Sequence, residues 1–320
     1  GNLIALIEQR GFRVITLPFE SSSGKPSVKK PDHAHWLGCD WQTDARQSFD
    51  AISGNVDWII VDHYALDLHW ETVMREKCTR IMCIDDLADR THECDLLLDQ
   101  SLGRCESNYR RLVPKHAALL LGPNYALLCP EFAQWRDTSL ARRYHPQLRH
   151  ILITMGGVDA DNVTGQLLSA LQSTDITRLD KITVVFGPHA PWRDRVTRQA
   201  ADMPVPTQIL SGVENMAELM TSCDLAIGAG GSTTWERCAL GVPSILIILA
   251  KNQRNIGRSM HQSGAAFVID ADKNLRSLIS DALQCCRDLG KLQNYVNASA
   301  AICDGAGLKR VISKLICEHG

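Results

Sequence analysis

The sequence has no excess of charge of either sign. Its 320 residues include 34 Lys and Arg against 36 Asp and Glu, so the formal net charge is −2. Proteins that bind nucleic acid normally concentrate basic residues on one face, so this balance argues against a nucleic-acid partner. The short basic run Arg142-Arg143 is expected on a solvated surface.

Long hydrophobic runs are also absent. No stretch reaches the run of about 18 apolar residues that a transmembrane helix needs, so we expect no membrane partner. A signal peptide is not recognisable, which favours a cytoplasmic location. The composition, 45% hydrophobic and 22% charged, is that of an ordinary globular protein.

Cysteine is plentiful, but its spacing lacks the patterns that carry chemistry. The 12 cysteines include no C-x-x-C pair and no Cys/His cluster with zinc-finger spacing. Several, such as Cys83, lie inside apolar runs, where cysteine acts as a small hydrophobic residue. We therefore expect free thiols in a reducing compartment.

Short apolar runs alternate with amphipathic segments along the whole chain. This alternation predicts βαβ units, and thus parallel sheets covered by helices. The predicted strands form two series, which indicates two doubly wound Rossmann-type domains. The first series is Arg13–Leu17, Asp57–Val61, Arg80–Ile84, Leu96–Leu98 and Ala118–Leu121; the second is His150–Thr154, Ile182–Phe186, Thr207–Leu210, Leu225–Ile227, Ser244–Ile248 and Ala266–Ile269.

A domain boundary is predicted in the polar stretch Thr138–Leu148, which follows a predicted helix at Pro130–Arg136. This gives one domain over residues 1–145 and another over residues 146–320. The alternative is that the stretch is only a long surface loop. At the other end of the first domain, Gly1–Gly11 has the pattern of the end of a helix that leads directly into the strand Arg13–Leu17.

Ligands of open α/β sheets bind beyond the carboxyl ends of the strands, so the residues there are candidates. The strand His150–Thr154 leads into Gly156-Gly157 and a helix that begins near Asn162. Two glycines let the backbone approach a ligand, and a helix N-terminus offers N–H groups to a phosphate. Asp159 and Asp161 favour the alternative, that this is a plain capped helix.

A stronger candidate follows the strand Leu225–Ile227. Three glycines and then hydroxyl residues at a helix start predict a cradle for phosphate, formed by Gly230, Gly231, Ser232 and Thr233. Glu236, in the first turn, is placed to accept hydrogen bonds from ribose hydroxyls; alternatively, it only stabilises the helix dipole. After the next strand, Asn252 and Gln253 can bind sugar hydroxyls or a base, or can cap a helix.

The first series of strands also ends in polar residues. Asp62, His63 and Tyr64 follow Val61, and three such groups are unfavourable to bury unless they are hydrogen-bonded or functional. Asp85-Asp86 is a similar pair for which capping is the expected role. Asn124 and Tyr125 follow the last strand of this series and are placed to extend into a cleft between the domains.

Taken together, these segments resemble a known family, the UDP-2,4-diacetamido-2,4,6-trideoxy-β-L-altropyranose hydrolases. These enzymes are relatives of the MurG glycosyltransferases and have a GT-B fold of two domains that face a cleft. The resemblance covers essentially the whole chain. It is carried by Asp62-His63-Tyr64, Ile84-Asp85-Asp86, Cys94–Gln100, Gly122–Leu127 with Glu131-Phe132, Met155–Asp159 with Asn162, and Gly228–Glu236.

The resemblance implies an enzyme that hydrolyses a UDP-sugar for pseudaminic acid biosynthesis, with inversion at the anomeric carbon and without metal or cofactor. It implies that residues 1–145 carry the sugar side with Asp62, His63 and Tyr64. Residues 146–320 would bind UDP, and Asn162 and Glu236 match substrate-binding positions. The family's first βαβ segment, which contains its general-base His, has no counterpart in this sequence, so the 320 residues are expected to have little hydrolase activity.

Two other functions remain open from the sequence. A MurG-like glycosyltransferase would use the same nucleotide-binding half together with an acceptor site. A non-catalytic protein that only binds a nucleotide-sugar would retain the glycine-rich loops without the general base.

Overall fold

The computed structural model describes residues 3–18, 33–271 and 274–317. The chain divides into two compact units, Gly1–Gly122 and Pro123–Gly320. Both units are built on parallel sheets covered by helices, as the alternation of apolar runs predicts. Among the described residues, no helix combines the length and apolar character that crossing a bilayer requires.

The first unit contains a four-stranded parallel sheet in the order β1-β2-β3-β4. Each strand is added on the same side of the one before, which is one half of a doubly wound arrangement. The elements are α1 (Ile4–Gln9), α2 (Trp41–Ala51), β1 (Val56–Val61), α3 (Leu68–Met74), β2 (Cys78–Ile84), β3 (Leu96–Asp99), α4 (Glu106–Tyr109) and β4 (Ala118–Leu121), with 3-10 turns at Ala34–Leu37 and Arg75–Lys77.

The strand predicted at Arg13–Leu17 does not form. Residues 12–18 have no regular structure, and none of residues 3–18 is buried. Within the described part of the chain, β1 pairs only with β2, so residues 13–17 form no backbone hydrogen bonds with a neighbouring strand. The preference of Val14 and Ile15 for strands has no effect here, because β-propensity mainly reflects packing on a half-buried sheet.

The second unit has a six-stranded parallel sheet in the order β10-β9-β8-β5-β6-β7. The chain starts at β5 in the middle, extends to β7 on one side, and returns to β8 on the other. The elements are α5 (Pro130–Arg142), β5 (His150–Thr154), α6 (Val163–Gln172), β6 (Lys181–Phe186), α7 (Arg193–Ala201), β7 (Thr207–Ser211), α8 (Met216–Ser222), β8 (Leu225–Ala229), α9 (Thr233–Ala239), β9 (Ser244–Ile248), α10 (Arg254–Gln262), β10 (Ala266–Asp270), α11 (Leu275–Arg287), α12 (Leu289–Ile302) and α13 (Gly307–Cys317), with 3-10 turns at Pro123–Tyr125 and Lys251–Gln253.

The core of the second unit forms because its central strands are apolar on both faces. All five residues of β5, β8 and β9 are buried. Ile151, Ile227 and Ile245 have no exposed surface, and the helices pack on them through residues such as Leu167. Such continuous apolar runs are typical of strands inside a parallel sheet that is covered on both sides. Ten of the eleven predicted strands are confirmed, most within one residue at each end.

The two compact units meet between Gly122 and Pro123, whereas the predicted domain boundary lies between residues 145 and 146. Helix α5 is the reason, because it continues to Arg142 and is fastened to the second unit. Arg136 donates to the carbonyl oxygens of Ala300 at 2.7 Å and Cys303 at 2.8 Å. These carbonyls lie at or just beyond the end of α12, where helix carbonyls lack partners within the helix.

The expectation of a solvated surface for Arg142-Arg143 is wrong. Arg143 is buried and donates to the carbonyl oxygens of Met220 at 2.9 Å and Cys223 at 2.8 Å, at the end of α8. Arg142 pairs with the buried Asp224 at 2.5 Å. A run of two basic residues gives no sign of this, since the carbonyls that they bind lie about eighty residues later in the chain.

Candidate nucleotide-binding site

The crevice between β5 and β8 is where the sheet of the second unit changes its winding direction. Thr154 at the end of β5 lies opposite Gly228 in β8, and the chain leaves each strand through a glycine-rich loop. In doubly wound sheets, such a switch point at the carboxyl ends is the usual ligand site, because the two outgoing loops diverge there and leave a crevice. The tertiary structure thus brings together two loops that are more than 70 residues apart in sequence.

The loop after β5 is already filled by its own side chains. Asp159 accepts hydrogen bonds from the backbone N–H groups of Val163 at 2.8 Å and Thr164 at 3.0 Å. Asn162 accepts from Gly165 N–H at 3.2 Å. The expectation that this helix start offers free N–H groups to a phosphate is therefore wrong, and the alternative of a capped helix holds.

Gly156 and Gly157 nevertheless remain on the surface of that loop. Gly156 has φ +90°, a backbone conformation that favours glycine. A Cβ on Gly187, which follows β6, would collide with the carbonyl oxygen of Gly157, so two outgoing loops approach each other closely here. Asn162 accepts through Oδ1 and keeps its amide N–H₂ available.

The loop after β8 is open. Gly231, Ser232 and Thr233 present three successive backbone N–H groups for which the described residues provide no acceptor. Gly231 and Ser232 are exposed, and Ser232 makes no side-chain cap to α9. Gly230 differs, because its N–H donates to the carbonyl oxygen of Ile247 at 3.3 Å. Successive free N–H groups form a concave site for an anion.

Glu236 lies one turn beyond these N–H groups. Its carboxylate is half-buried and has no hydrogen-bond donor among the described residues. Burial raises the pKa of Glu236, and the neighbouring guanidinium of Arg237 opposes that rise. A carboxylate in this setting is an acceptor that lacks a donor, and hydroxyl groups of a ligand would supply one.

The remaining polar candidates of the second unit have structural partners. Gln253 Oε1 accepts from the backbone N–H of Leu249 at 2.9 Å, and its amide N–H₂ has no acceptor among the described residues. The side chain of Asn252 lies outside the described part of the structure. Asn124 is exposed, and its carbonyl oxygen accepts from Arg310 at 2.8 Å. Tyr125 and Asn124 thus belong to the second unit, on the side of α13, and not to the first.

In the first unit, Asp62, His63 and Tyr64 follow β1 directly. Tyr64 donates to Asp86 Oδ1 at 2.7 Å, while Asp62 is exposed and has no partner among the described residues. His63 Nδ1 lies 3.1 Å from the backbone N–H of Ala65 and accepts its proton. The ring proton of a neutral His63 must then be on Nε2, so this imidazole is a donor towards a ligand.

Desolvation lowers the pKa of His63, which keeps its imidazole neutral near pH 7.

The aspartates that follow β2 and end β3 have structural partners. Asp85 is buried and pairs with Arg90 at 2.6 Å, and Asp99 is buried and pairs with Arg104 at 2.5 Å. Tyr109 donates between these two carboxylates, 2.9 Å from Asp85 and 2.8 Å from Asp99. The role of Asp85 is thus structural, but it is not the expected helix cap: the carboxylate accepts from the Ala88 N–H at 2.9 Å in a stretch where no helix begins.

Among the described residues, three side chains of types that can bind a metal lie close together in the interior: Glu71, Cys83 and His92. Glu71 Oε1 accepts from His92 Nδ1 at 2.7 Å and from Cys83 Sγ at 3.1 Å. These hydrogen bonds satisfy the carboxylate without an ion. We therefore infer that the three side chains form a hydrogen-bonded part of the core. The eleven described cysteines are free thiols, as their spacing predicts.

The family and the fold of the chain follow from its similarity to known proteins. Residues 150–312, which contain both glycine-rich loops, match the family model of the glycosyltransferase family 28 C-terminal domain. Over the chain as a whole, a crystal structure of MurG from Acinetobacter baumannii is similar, with a TM-score of 0.65 and 13% identity, over 97% of this chain and 87% of that one. The fold is therefore GT-B-like.

Three curated proteins show similarity in sequence. An uncharacterized protein of Methanocaldococcus jannaschii is 26% identical over 253 residues, which are 77% of this chain and 51% of that protein. The UDP-2,4-diacetamido-2,4,6-trideoxy-beta-L-altropyranose hydrolase of Campylobacter jejuni is 27% identical over 207 residues, 64% of this chain and 71% of the enzyme. The UDP-N-acetylglucosamine--N-acetylmuramyl-(pentapeptide) pyrophosphoryl-undecaprenol N-acetylglucosamine transferase of Oenococcus oeni is 28% identical over 163 residues. These are 48% of this chain and 43% of that transferase. The chain thus spans about half the length of two of these relatives.

Proposed function

The chain belongs to the glycosyltransferase family 28 C-terminal domain family, and we propose that its second unit binds the UDP part of a UDP-sugar at the loop after β8. One observation carries this proposal. The N–H groups at the helix start after β5, those of Val163, Thr164 and Gly165, are occupied by Asp159 and Asn162. At the helix start after β8, the N–H groups of Gly231, Ser232 and Thr233 have no acceptor among the described residues.

Each proposed contact uses a group that the protein leaves without a partner. The N–H groups of Gly231, Ser232 and Thr233 bind phosphate oxygens, and the carboxylate of Glu236 accepts from the ribose hydroxyls. Gly156 and Gly157 let the opposite loop approach the sugar. The amide N–H₂ groups of Asn162 and Gln253, together with Asn124 and Tyr125, are further proposed contacts to the base or the sugar, and Asn252 is proposed with them from its place in the sequence alone.

We propose hydrolysis as the reaction. Water attacks the anomeric carbon as the bond from that carbon to the β-phosphate oxygen breaks, UDP leaves with the electron pair, and the configuration inverts. UDP is a stable anion, so the loop need only neutralise the charge that grows on the β-phosphate, which fixed N–H groups do well. The similarity to the altropyranose hydrolase supports this reaction, and that sugar is our proposed substrate, for pseudaminic acid biosynthesis.

Among Asp62, His63 and Tyr64, which follow β1, one side chain is a carboxylate that could activate water. His63 carries its proton on Nε2 when Nδ1 accepts from Ala65, and Tyr64 donates to Asp86. Asp62, by contrast, is exposed and has no partner among the described residues. Within the group Asp62, His63 and Tyr64, we therefore propose Asp62 as the resident acceptor of a proton and His63 as a donor.

Glycosyl transfer is the second candidate. The similarity to an N-acetylglucosamine transferase over 163 residues favours it, although the match to the hydrolase is longer, at 207 residues. Both reactions use the same UDP site and differ in whether water or a sugar hydroxyl attacks.

The test is to incubate the protein with the UDP-altropyranose sugar alone and to measure UDP release. We expect slow release without an acceptor, in keeping with the low activity expected from the sequence. Release should be strongly reduced in E236Q and unchanged in E214Q, since Glu214 is exposed and outside the site. Release that requires an added acceptor would replace hydrolysis by transfer. Binding of UDP without release in either case would leave a nucleotide-sugar-binding protein.

A further inference from the structure

Arg237 is a fully buried arginine that lies beneath the crevice between β5 and β8. It is 1% exposed and is the largest of the fully buried side chains in the described structure. Its Nη2 donates to the carbonyl oxygen of Ala229 at 2.9 Å and to Thr234 Oγ1 at 3.1 Å. Its Nε and Nη1 have no acceptor among the described residues.

The position of the guanidinium is fixed by Gly228. A Cβ on that glycine would overlap Arg237 Nη1, and the same Cβ would lie 2.8 Å from the carbonyl oxygen of Thr154. Because Thr154 and Gly228 face each other where β5 and β8 end, the cation occupies the space under the point at which the two loops diverge. Glycine at position 228 is therefore required by the close approach of both the arginine side chain and the carbonyl oxygen of Thr154.

A purely structural role does not explain why the Nε and Nη1 atoms of Arg237 are buried without an acceptor. Arg143 shows what a structural buried arginine does here, since its Nη1 and Nη2 donate to carbonyl oxygens of Ser139, Met220 and Cys223, and only its Nε has no acceptor among the described residues. Arg237 instead keeps two donor atoms unused, and no carboxylate of the described chain forms an ion pair with it. An unpaired buried cation is strongly unfavourable. Burial also lowers the pKa of Arg237.

We propose that Arg237 is a buried counter-charge for the diphosphate of the bound nucleotide and that it positions the diphosphate through the electric field across the Gly228-Ala229 backbone. This inference rests on the proposed UDP site and adds a residue that never touches solvent. The free N–H groups of residues 231–233 would hold the phosphates from the open side, while the guanidinium supplies positive charge from below. The low-dielectric surroundings strengthen such an interaction relative to water.

No acid of the described chain pairs with this cation. Glu236, its neighbour in sequence, is half-buried and makes neither a hydrogen bond nor an ion pair with the guanidinium within the described structure. The positive charge of Arg237 is therefore available to a ligand anion.

The experiment compares R237M, R237Q and R237K with the wild-type protein. Affinities for UDP, uridine and inorganic pyrophosphate are measured by calorimetry, and the free energy of unfolding without ligand is measured in urea. For R237M and R237Q we expect UDP and pyrophosphate affinity to fall by about ten- to a hundredfold with uridine affinity unchanged, and R237K to restore most of the loss. We expect R237M without ligand to be as stable as the wild type or more stable, because an unpaired buried charge is removed.

Three outcomes would overturn the inference: UDP affinity in R237M within about twofold of wild type, equal losses for UDP and uridine, or unfolding of all three variants. R143M serves as the control, and we expect it to lose stability. If the wild-type protein does not bind UDP, the proposed function fails and the pyrophosphate measurements decide on Arg237 alone. Pyrophosphate binding that R237M loses then supports the counter-charge, and no pyrophosphate binding refutes it.

Discussion

At the scale of single residues, the candidate site is defined by groups that lack partners. Glu236 has a half-buried carboxylate without a donor, and Gly231 to Thr233 have N–H groups without acceptors. Unsatisfied groups in or near the interior are unfavourable, and proteins otherwise pair nearly all of them. A ligand with hydroxyl donors for Glu236 removes the deficit of that half-buried carboxylate, and its anionic oxygens can replace water at the exposed N–H groups of Gly231 and Ser232.

The affinity for UDP is expected to depend on the charge of Glu236. In E236Q an amide replaces the carboxylate, so the two hydrogen bonds proposed from ribose hydroxyls lose their charged acceptor, and UDP should bind about ten- to a hundredfold more weakly. Calorimetry at fixed salt measures this. E214Q, which changes an exposed glutamate after β7, is the matched control. Equal affinity in E236Q and the wild type would remove Glu236 from the site.

The stability of the protein without ligand should depend on pH through the same residue. Because burial raises the pKa of Glu236, the folded protein binds this proton more tightly than the unfolded chain does. The contribution of Glu236 to stability is therefore complete below its unfolded pKa and is lost as the pH rises through the raised folded pKa. E236Q, which does not titrate, should therefore gain in free energy of unfolding relative to the wild type as the pH rises above about 4, the ordinary pKa of a glutamate. Urea unfolding at several pH values measures the difference, and a difference that does not change with pH would contradict the assignment.

At the scale of elements, α6 and α9 begin in opposite ways. Helix α6 has a carboxylate cap, for which Asp159 adopts φ +47° and Asn162 adopts φ +53°. Positive φ at residues other than glycine is uncommon and somewhat strained, so the cap must compensate for it. Helix α9 begins without a side-chain cap. The start of α6 is therefore occupied by side chains of the protein itself, whereas the start of α9 is available to a ligand.

Removing the cap of α6 should lower stability and leave nucleotide binding nearly intact. D159A removes a charged acceptor from two N–H groups, and we expect the second unit to lose about 1–2 kcal/mol in free energy of unfolding. D161A changes an exposed neighbour and should alter stability by less than about 0.5 kcal/mol. UDP affinity, measured well below the unfolding transition, should stay within about threefold for both variants. A large loss of affinity in D159A alone would show that the loop after β5 binds phosphate after all.

At the scale of the whole molecule, α5 shows how a polar linker sequence becomes part of a domain. The helix contains Arg136 and Arg142 and is followed by Arg143, and these side chains donate to carbonyl oxygens at the ends of three other helices. Helix ends carry unpaired carbonyls and a negative partial charge, so guanidinium groups bind there well. The second unit therefore starts before α5, and its fold includes residues that read as a linker.

The contribution of α5 to stability is testable with two arginines. R136M leaves several carbonyl oxygens without their donor, so we expect it to lose about 2–4 kcal/mol in free energy of unfolding. R149M removes an ion pair in which Arg149 is 57% and Asp180 is 68% exposed, and it should lose less than about 1 kcal/mol. Urea denaturation of both variants, followed by circular dichroism, gives the comparison. Similar losses in the two variants would mean that α5 is not an integral part of the second unit.

The position of the boundary can be measured with fragments. A fragment of residues 123–320 retains α5 and every acceptor of its arginines, so we expect cooperative unfolding. A fragment of residues 146–320 loses this helix and exposes the helix ends that it covers, so it should be less stable and prone to associate. Thermal unfolding and light scattering distinguish the two. Equal stability would place the functional boundary at the sequence-predicted position.

The sequence by itself determined the α/β class, ten of the eleven predicted strands and the two glycine-rich loops. These follow from local chemistry, since apolar runs such as Leu225–Ile227 become buried strands wherever helices cover them and glycines mark where the backbone must turn or approach. The failure at Arg13–Leu17 has the complementary reason. A strand exists only if a neighbour pairs with it, and pairing is a property of the sheet and not of the segment.

Only the tertiary structure decided which candidates are free to bind a ligand. Asp159 and Glu236 both read as carboxylates near a helix start, but one accepts two N–H groups and the other none, because this depends on how each loop leaves its strand. Arg237 was not among the sequence candidates. The role proposed for it depends on its burial beneath Gly228 and on its donor atoms that have no acceptor among the described residues. Both arise only when β5 and β8, which are more than 70 residues apart in sequence, lie side by side.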